Sequence, residues 1–140
     1  MSVINEVIES VMDMIDATIE LLDVKSEIGT IKRGALPVHA GISCEMGPSS
    51  PESIYMDKNT YTPLDLTINA KHSNLQTLSN TLNSIHSAMT RSFTYPSDEG
   101  GKWEILDITT GTLPQVIGRE ENNDWLMASS LRIKYYHKED

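Results

Sequence analysis

Apolar residues recur at three- and four-residue steps near the start of the chain: Ile4, Val7, Ile8, Val11, Met12, Ile15, Ile19 and Leu22. That spacing lays one continuous stripe along a helix. Asp13, Asp16, Glu20 and Asp23 fall off the stripe. Toward a helix C-terminus the dipole disfavours such acids, and nothing local offsets them, so they read as solvated. The run stops near Asp23, with Gly29 beyond it.

The period then changes from helical to alternating. After the breaker Gly34-Ala35-Leu36-Pro37, the residues Val38, Ala40, Ile42, Cys44 and Met46 alternate with His39, Gly41, Ser43 and Glu45. Period two over residues 38–46 predicts a half-buried strand. Gly47-Pro48-Ser49-Ser50-Pro51 reads as a loop, residues 53–56 as a short strand, and Asp57-Lys58-Asn59 as a hairpin turn. Leu64, Leu66, Ile68 and Ala70 alternate with Asp65, Thr67, Asn69 and Lys71, and Pro63 suits the start of that strand.

A second helix follows, with Ser73 as its expected N-cap. Leu75, Leu78, Leu82, Ile85 and Met89 form a narrow seam suited to docking on a sheet. The opposite face, including Asn74, Gln76, Thr77, Ser79, Asn80, Thr81, Asn83, Ser84 and Ser87, is polar but uncharged. Exposed helix faces are usually richer in stronger helix formers such as Lys and Glu. Both a contact surface and simple drift remain open for it. Residues 91–102 read as a loop holding Phe93 and Tyr95. These rings either pack on a partner or cover the edge of their own core. A strand over 103–108, a loop over 110–114, a polar turn over 120–124 and a last strand over 126–136 complete the pattern.

Strands come in runs with short turns rather than as repeated βαβ units. The predicted fold is α+β: a mostly antiparallel mixed sheet with two main helices packed on one face. The 140 residues form one domain spanning 1–140. A chain of this length buries roughly 68% of the surface it exposes unfolded, enough for a core without staples.

Composition narrows the partners. Eleven basic against twenty acidic residues give a formal charge of −9. That argues against gripping a duplex, since Lys and Arg supply most nucleic-acid affinity. Nucleic acid could still slide past a negative wall. Cys44 is the single cysteine, so no intrachain disulfide is possible, and its place in an apolar alternation reads as a buried inert thiol. The N-terminal residues lack a basic start and are not expected to be a signal peptide, and no apolar run reaches the ~20 residues of a membrane span. Folding in a cytoplasm is the expectation.

Catalytic chemistry finds no foothold. His39, His72, His86 and His137 do not pair with one another, with Cys44 or with acids at metal-ligand spacing. His86 reads as solvated on the polar helix face, His39 as facing out, His137 as part of the charged tail, and His72 as a capping or turn residue. Gly100-Gly101 lacks the Lys-Ser/Thr of a phosphate loop. No nucleophile elbow or defensible carboxylate pair is present. No catalytic residue, cofactor or metal is expected, and an enzyme is not.

Three stretches carry a resemblance: Trp103-Glu104-Ile105-Leu106-Asp107-Ile108, then Leu113-Pro114-Gln115-Val116-Ile117-Gly118-Arg119-Glu120, then Leu131-Arg132-Ile133-Lys134-Tyr135-Tyr136. A W-x-I strand, a Pro-x-x-Ile-Gly turn and a closing strand rich in aromatics and basics, after a helix, a strand meander and a second helix, resemble the tail terminator proteins of long-tailed bacteriophages. These are also called minor capsid or tail-to-head joining proteins. The element order matches along nearly the whole chain. The resemblance implies a homo-oligomeric ring of six copies that caps the tail tube, ends its growth and offers a surface for the head. Its partners would be the tail tube protein and the head connector protein. DNA would pass through without specific binding, with no membrane involved, at the head-proximal end of the virion tail. A head-completion or connector protein is the alternative, and a small soluble enzyme or ligand-binding domain a third. An interface among copies or with the tube is expected at Phe93, Tyr95, Asp98, Glu99, Arg132 and Lys134, since ring closure needs unlike surfaces on one subunit.

Overall fold

The computed structural model describes residues 3–22, 25–37, 40–46, 54–56, 59–92 and 94–138. The elements run α1 (Val3–Glu20), α2 (Lys25–Ile28), β1 (Lys32–Arg33), β2 (Gly41–Met46), β3 (Ile54–Met56), β4 (Asn59–His72), α3 (Leu75–Thr90), β5 (Trp103–Arg119) and β6 (Trp125–Lys138). The sheet order is β1-β2-β4-β6-β5, with β3 also paired to β4. Every pairing is antiparallel except β1 with β2. The fold is therefore the expected α+β arrangement, a mixed and mostly antiparallel sheet with α1 and α3 on one face.

α1 forms because its stripe has something to cover. Val7, Ile8, Val11, Ile15 and Ile19 are buried, and Ile4, Met12 and Leu22 pack at the margin of the core. One of its acids has a role that spacing could not reveal. Asp16 Oδ1 accepts a 2.8 Å hydrogen bond from the Ile31 backbone N–H, which ties α1 to the segment entering β1. Burial is the main cause raising the Asp16 pKa above its ordinary value.

α3 is capped by Asn74, not by Ser73: the Asn74 side chain accepts from the Thr77 backbone N–H at 3.1 Å. His72 Nδ1 accepts from the Asn74 backbone N–H at 2.9 Å, the turn role expected of it. Leu78, Leu82, Ile85 and Met89 are buried, as the seam predicts, and they meet Leu64, Leu66, Ile68, Leu131 and Ile133 in one core. The buried stripe is wider than the apolar residues alone suggest, because Thr81 and His86 are buried beside it. Thr81 satisfies its hydroxyl by donating to the Thr77 carbonyl at 2.8 Å.

Four strand and loop expectations change. The first strand begins at Gly41, and Val38 and His39 lie outside the described residues, as do Ser53, Asp57 and Lys58. Within β2 both faces are covered from Gly41 to Cys44, while Met46 is 48% exposed. Pro63 does not start β4 but sits inside it. Among the described residues its free side lies between the β3 pairing at 59–61 and the β2 pairing at 66–71, where no ladder donor is missed. Residues 110–114 are not a loop. They belong to β5, which runs the full length of β6 with four register shifts. The short elements α2 and β1 were not expected at all. Gly29, at φ 74°, ends α2 in the left-handed region that glycine adopts without strain. The polar turn over 120–124 is as expected, with Asn123 at φ 72°.

Candidate assembly surface

β5 is the outer strand of the sheet, and it governs the surface. Its first half alternates: Trp103, Ile105 and Ile108 are buried between exposed Glu104, Leu106 and Asp107. Register shifts between Ile105/Asp107, Thr110/Thr112, Thr112/Gln115 and Val116/Gly118 then rotate it away from the core. Bulges add twist and blunt a free edge against regular strand addition. Gly111 makes one bulge possible, since a Cβ there would lie 2.6 Å from Ser130 Oγ. Beyond it Leu113, Val116 and Ile117 are 72%, 47% and 56% exposed. The stretch that resembles a Pro-x-x-Ile-Gly turn is thus an exposed apolar strip on an edge strand. Apolar side chains grouped on a surface mark contact sites more often than singly scattered ones do.

The bulged strand also shapes a groove of about 360 Å³ on the sheet face turned away from the helices, lined by Asp65, Thr67, Thr112, Gln115, Ser130 and Arg132 among others. Asp65 and Arg132 stand opposite each other in the β4–β6 register. Neither side chain forms a hydrogen bond or an ion pair among the described residues.

The residues expected at the interface separate into groups. Phe93 lies outside the described residues. Tyr95 packs against the edge of its own core, and its hydroxyl donates to the Met89 carbonyl at 2.8 Å. Asp98 organises its own turn: its backbone N–H donates to the Trp103 carbonyl at 2.9 Å, and its carboxylate accepts from the Lys102 N–H at 3.2 Å. Glu99 stands exposed on that turn, and Arg132 and Lys134 are exposed on β6.

Inside the fold lies a polar cluster that the sequence reading missed. His86 is 5% exposed, not solvated. Nδ1 is 3.0 Å from Thr110 Oγ1 and Nε2 is 2.8 Å from Ser129 Oγ. Burial lowers its pKa below the ordinary 6.5. The only available signal was its place four residues after Leu82 on the seam side. A histidine bonded to a serine invites a nucleophile–base reading, but Ser129 is 2% exposed and the second ring nitrogen meets a hydroxyl rather than a carboxylate. The cluster acts as a tie between α3, β5 and β6. Cys44 is fully buried, and burial pushes its thiol up to about 11. Among the described residues no group of three or more His, Cys, Asp or Glu could hold a metal ion. No described helix is long and apolar enough to cross a membrane.

No family model matches the chain. No curated protein matches it in sequence. Its fold is similar to that of a chain in a solved structure described as the virion of a native gene transfer agent (GTA) particle. The TM-score is 0.64 and the identity 11%, covering 93% of this chain and 97% of the other. At that identity the likeness is one of fold, and it runs over nearly the full length of both chains.

Proposed function

We propose that this chain is a structural subunit of a phage-like virion. In this proposal six copies form a ring that closes the end of the tail tube, stops its growth and presents a surface to the head. The observation that carries the reading is the end-to-end likeness to a chain of a virion structure, TM-score 0.64 over 93% and 97% of the two chains. The resemblance of residues 103–136 to tail terminators supplies the finer role. The physical chemistry agrees with it. A chain of net charge −9 repels phosphate, so a lumen built from it lets DNA pass without holding it. The exposed strip of Leu113, Val116 and Ile117 offers apolar contact area. The turn bearing Asp98 and Glu99, and β6 bearing Arg132 and Lys134, offer unlike charged surfaces, and Phe93 and Tyr95 precede that turn in sequence. The interface set is therefore kept, with Tyr95 and Asp98 positioning it rather than touching the partner.

The test is tube growth. Tail tube protein polymerised with increasing amounts of this chain is expected to give shorter tubes, each with one end blocked to further addition. Unchanged tube lengths together with binding to isolated heads would assign the chain to the head-completion role instead.

A further inference from the structure

The groove on the open sheet face contains an acid and a base that ignore each other. Asp65 and Arg132 are direct cross-strand neighbours, a position in which opposite charges ordinarily pair. Here neither has a partner among the described residues. A second site on the same chain carries the complementary pattern. The turn at residues 98–102 is held by the Asp98 N–H to Trp103 carbonyl bond, by the Gly101 N–H to Asp98 carbonyl bond at 3.0 Å, and by the Asp98 carboxylate on the Lys102 N–H. Asp98 is thereby spent on the turn itself. Glu99 and Lys102 are left exposed, one acid and one base on a preorganised tip, with no ion pair among the described residues.

Tip and groove cannot meet within one copy. The turn leads into Trp103, which pairs with His137, whereas the groove residue Thr112 pairs with Ser130. Arg132, the groove residue nearest that end, pairs with Thr109 and lies five positions from His137 along β6, roughly 17 Å at about 3.3 Å per residue, and the tip lies beyond His137. We propose that the groove between Asp65 and Arg132 receives the 98–102 turn of a second copy of this chain, with Glu99 facing Arg132 and Lys102 facing Asp65. Two unlike, mutually complementary sites at different places on one subunit make a heterologous contact, the kind that closes rings. Small side chains lining the groove (Thr67, Thr112 and Ser130) leave room for a turn that carries Gly100 and Gly101 at its tip. The contact gives direction and register, the usual contribution of charge complementarity at an interface. It rests on the ring reading above and specifies how neighbours would join.

Charge reversal tests it. Arg132→Glu and Glu99→Lys, made singly, should each weaken self-association by about tenfold or more while leaving the circular dichroism spectrum and melting temperature unchanged. The double variant Arg132→Glu/Glu99→Lys should recover most of the loss, since the pair is restored in reverse. Sedimentation velocity at low salt reads self-association, and tube-end capping is scored on the same samples. Single variants that associate as wild type does, or a double variant no better than the singles, would overturn the docking while leaving the ring intact. A wild-type protein that is monomeric at every concentration and on tube ends would sink the ring reading itself, and the docking with it.

Discussion

His86 shows how a polar residue earns a place inside this fold: both ring nitrogens meet hydroxyls, on Thr110 and Ser129. Its folded pKa lies below the ordinary 6.5, so the folded state holds the neutral ring and resists protonation. The stabilisation is complete above about pH 6.5 and is lost as pH falls through the folded pKa, because the unfolded chain binds the proton first. Thermal melts should show wild-type stability declining below about pH 6.5, and His86→Gln should lose that part of the slope. His86→Ala, which strands the buried Ser129 hydroxyl and the half-buried Thr110 hydroxyl, is expected to cost about 2 kcal/mol at neutral pH. A flat pH profile in wild type would contradict this account. Tyr95 gives a second residue-scale test. Its contact with the core and its bond to the Met89 carbonyl mean that Tyr95→Ala should destabilise the monomer by about 1–3 kcal/mol in a urea melt. A change below about 0.5 kcal/mol would return Tyr95 to the interface.

At the scale of elements, the two long helices were legible because each buries a periodic stripe, and burial is what period reports. Leu82 is fully buried in the α3 seam, so Leu82→Ala should cost ~2–5 kcal/mol by urea melt, the range for truncating a packed leucine. β4 and β6 were legible for the same reason, with Leu64, Leu66, Ile68, Leu131 and Ile133 facing the helices. β5 was not. Each register shift reverses the face that the next side chain meets, so residues 110–114 read as a loop although Thr110 and Thr112 pair with β6 and the others bulge between paired positions of the same strand. α2 and β1, with four and two residues, are too short to hold any period. Gly111→Ala checks the bulge. The new methyl must displace Ser130 Oγ, so melting temperature and groove shape should both change. An unperturbed β5–β6 hairpin by NMR shifts would show that the close approach does not constrain it.

At the scale of the whole molecule, the expectation of an assembly role came from the resemblance carried by residues 103–136, with the net charge of −9 compatible with it. The candidate contact residues were less legible. Sequence could mark Asp98, Glu99, Arg132 and Lys134 as charged and surface-suited, yet only the fold shows that Asp98 braces its own turn and that Arg132 stands unpaired beside Asp65. That division arises because which residues stand opposite across strands is set by register between segments far apart in sequence, which local pattern does not encode. The exposed apolar side chains on β5 and the unpaired charges of the groove are surfaces that no part of the described chain covers. The central claim is that these surfaces build a ring on a tube end. Negative-stain microscopy of the purified protein mixed with tail tubes tests it most directly. The account predicts a six-fold ring seated on one end of each tube, with added tube protein no longer extending that end. Bare tube ends that continue to elongate, with the chain left free in solution, would contradict it.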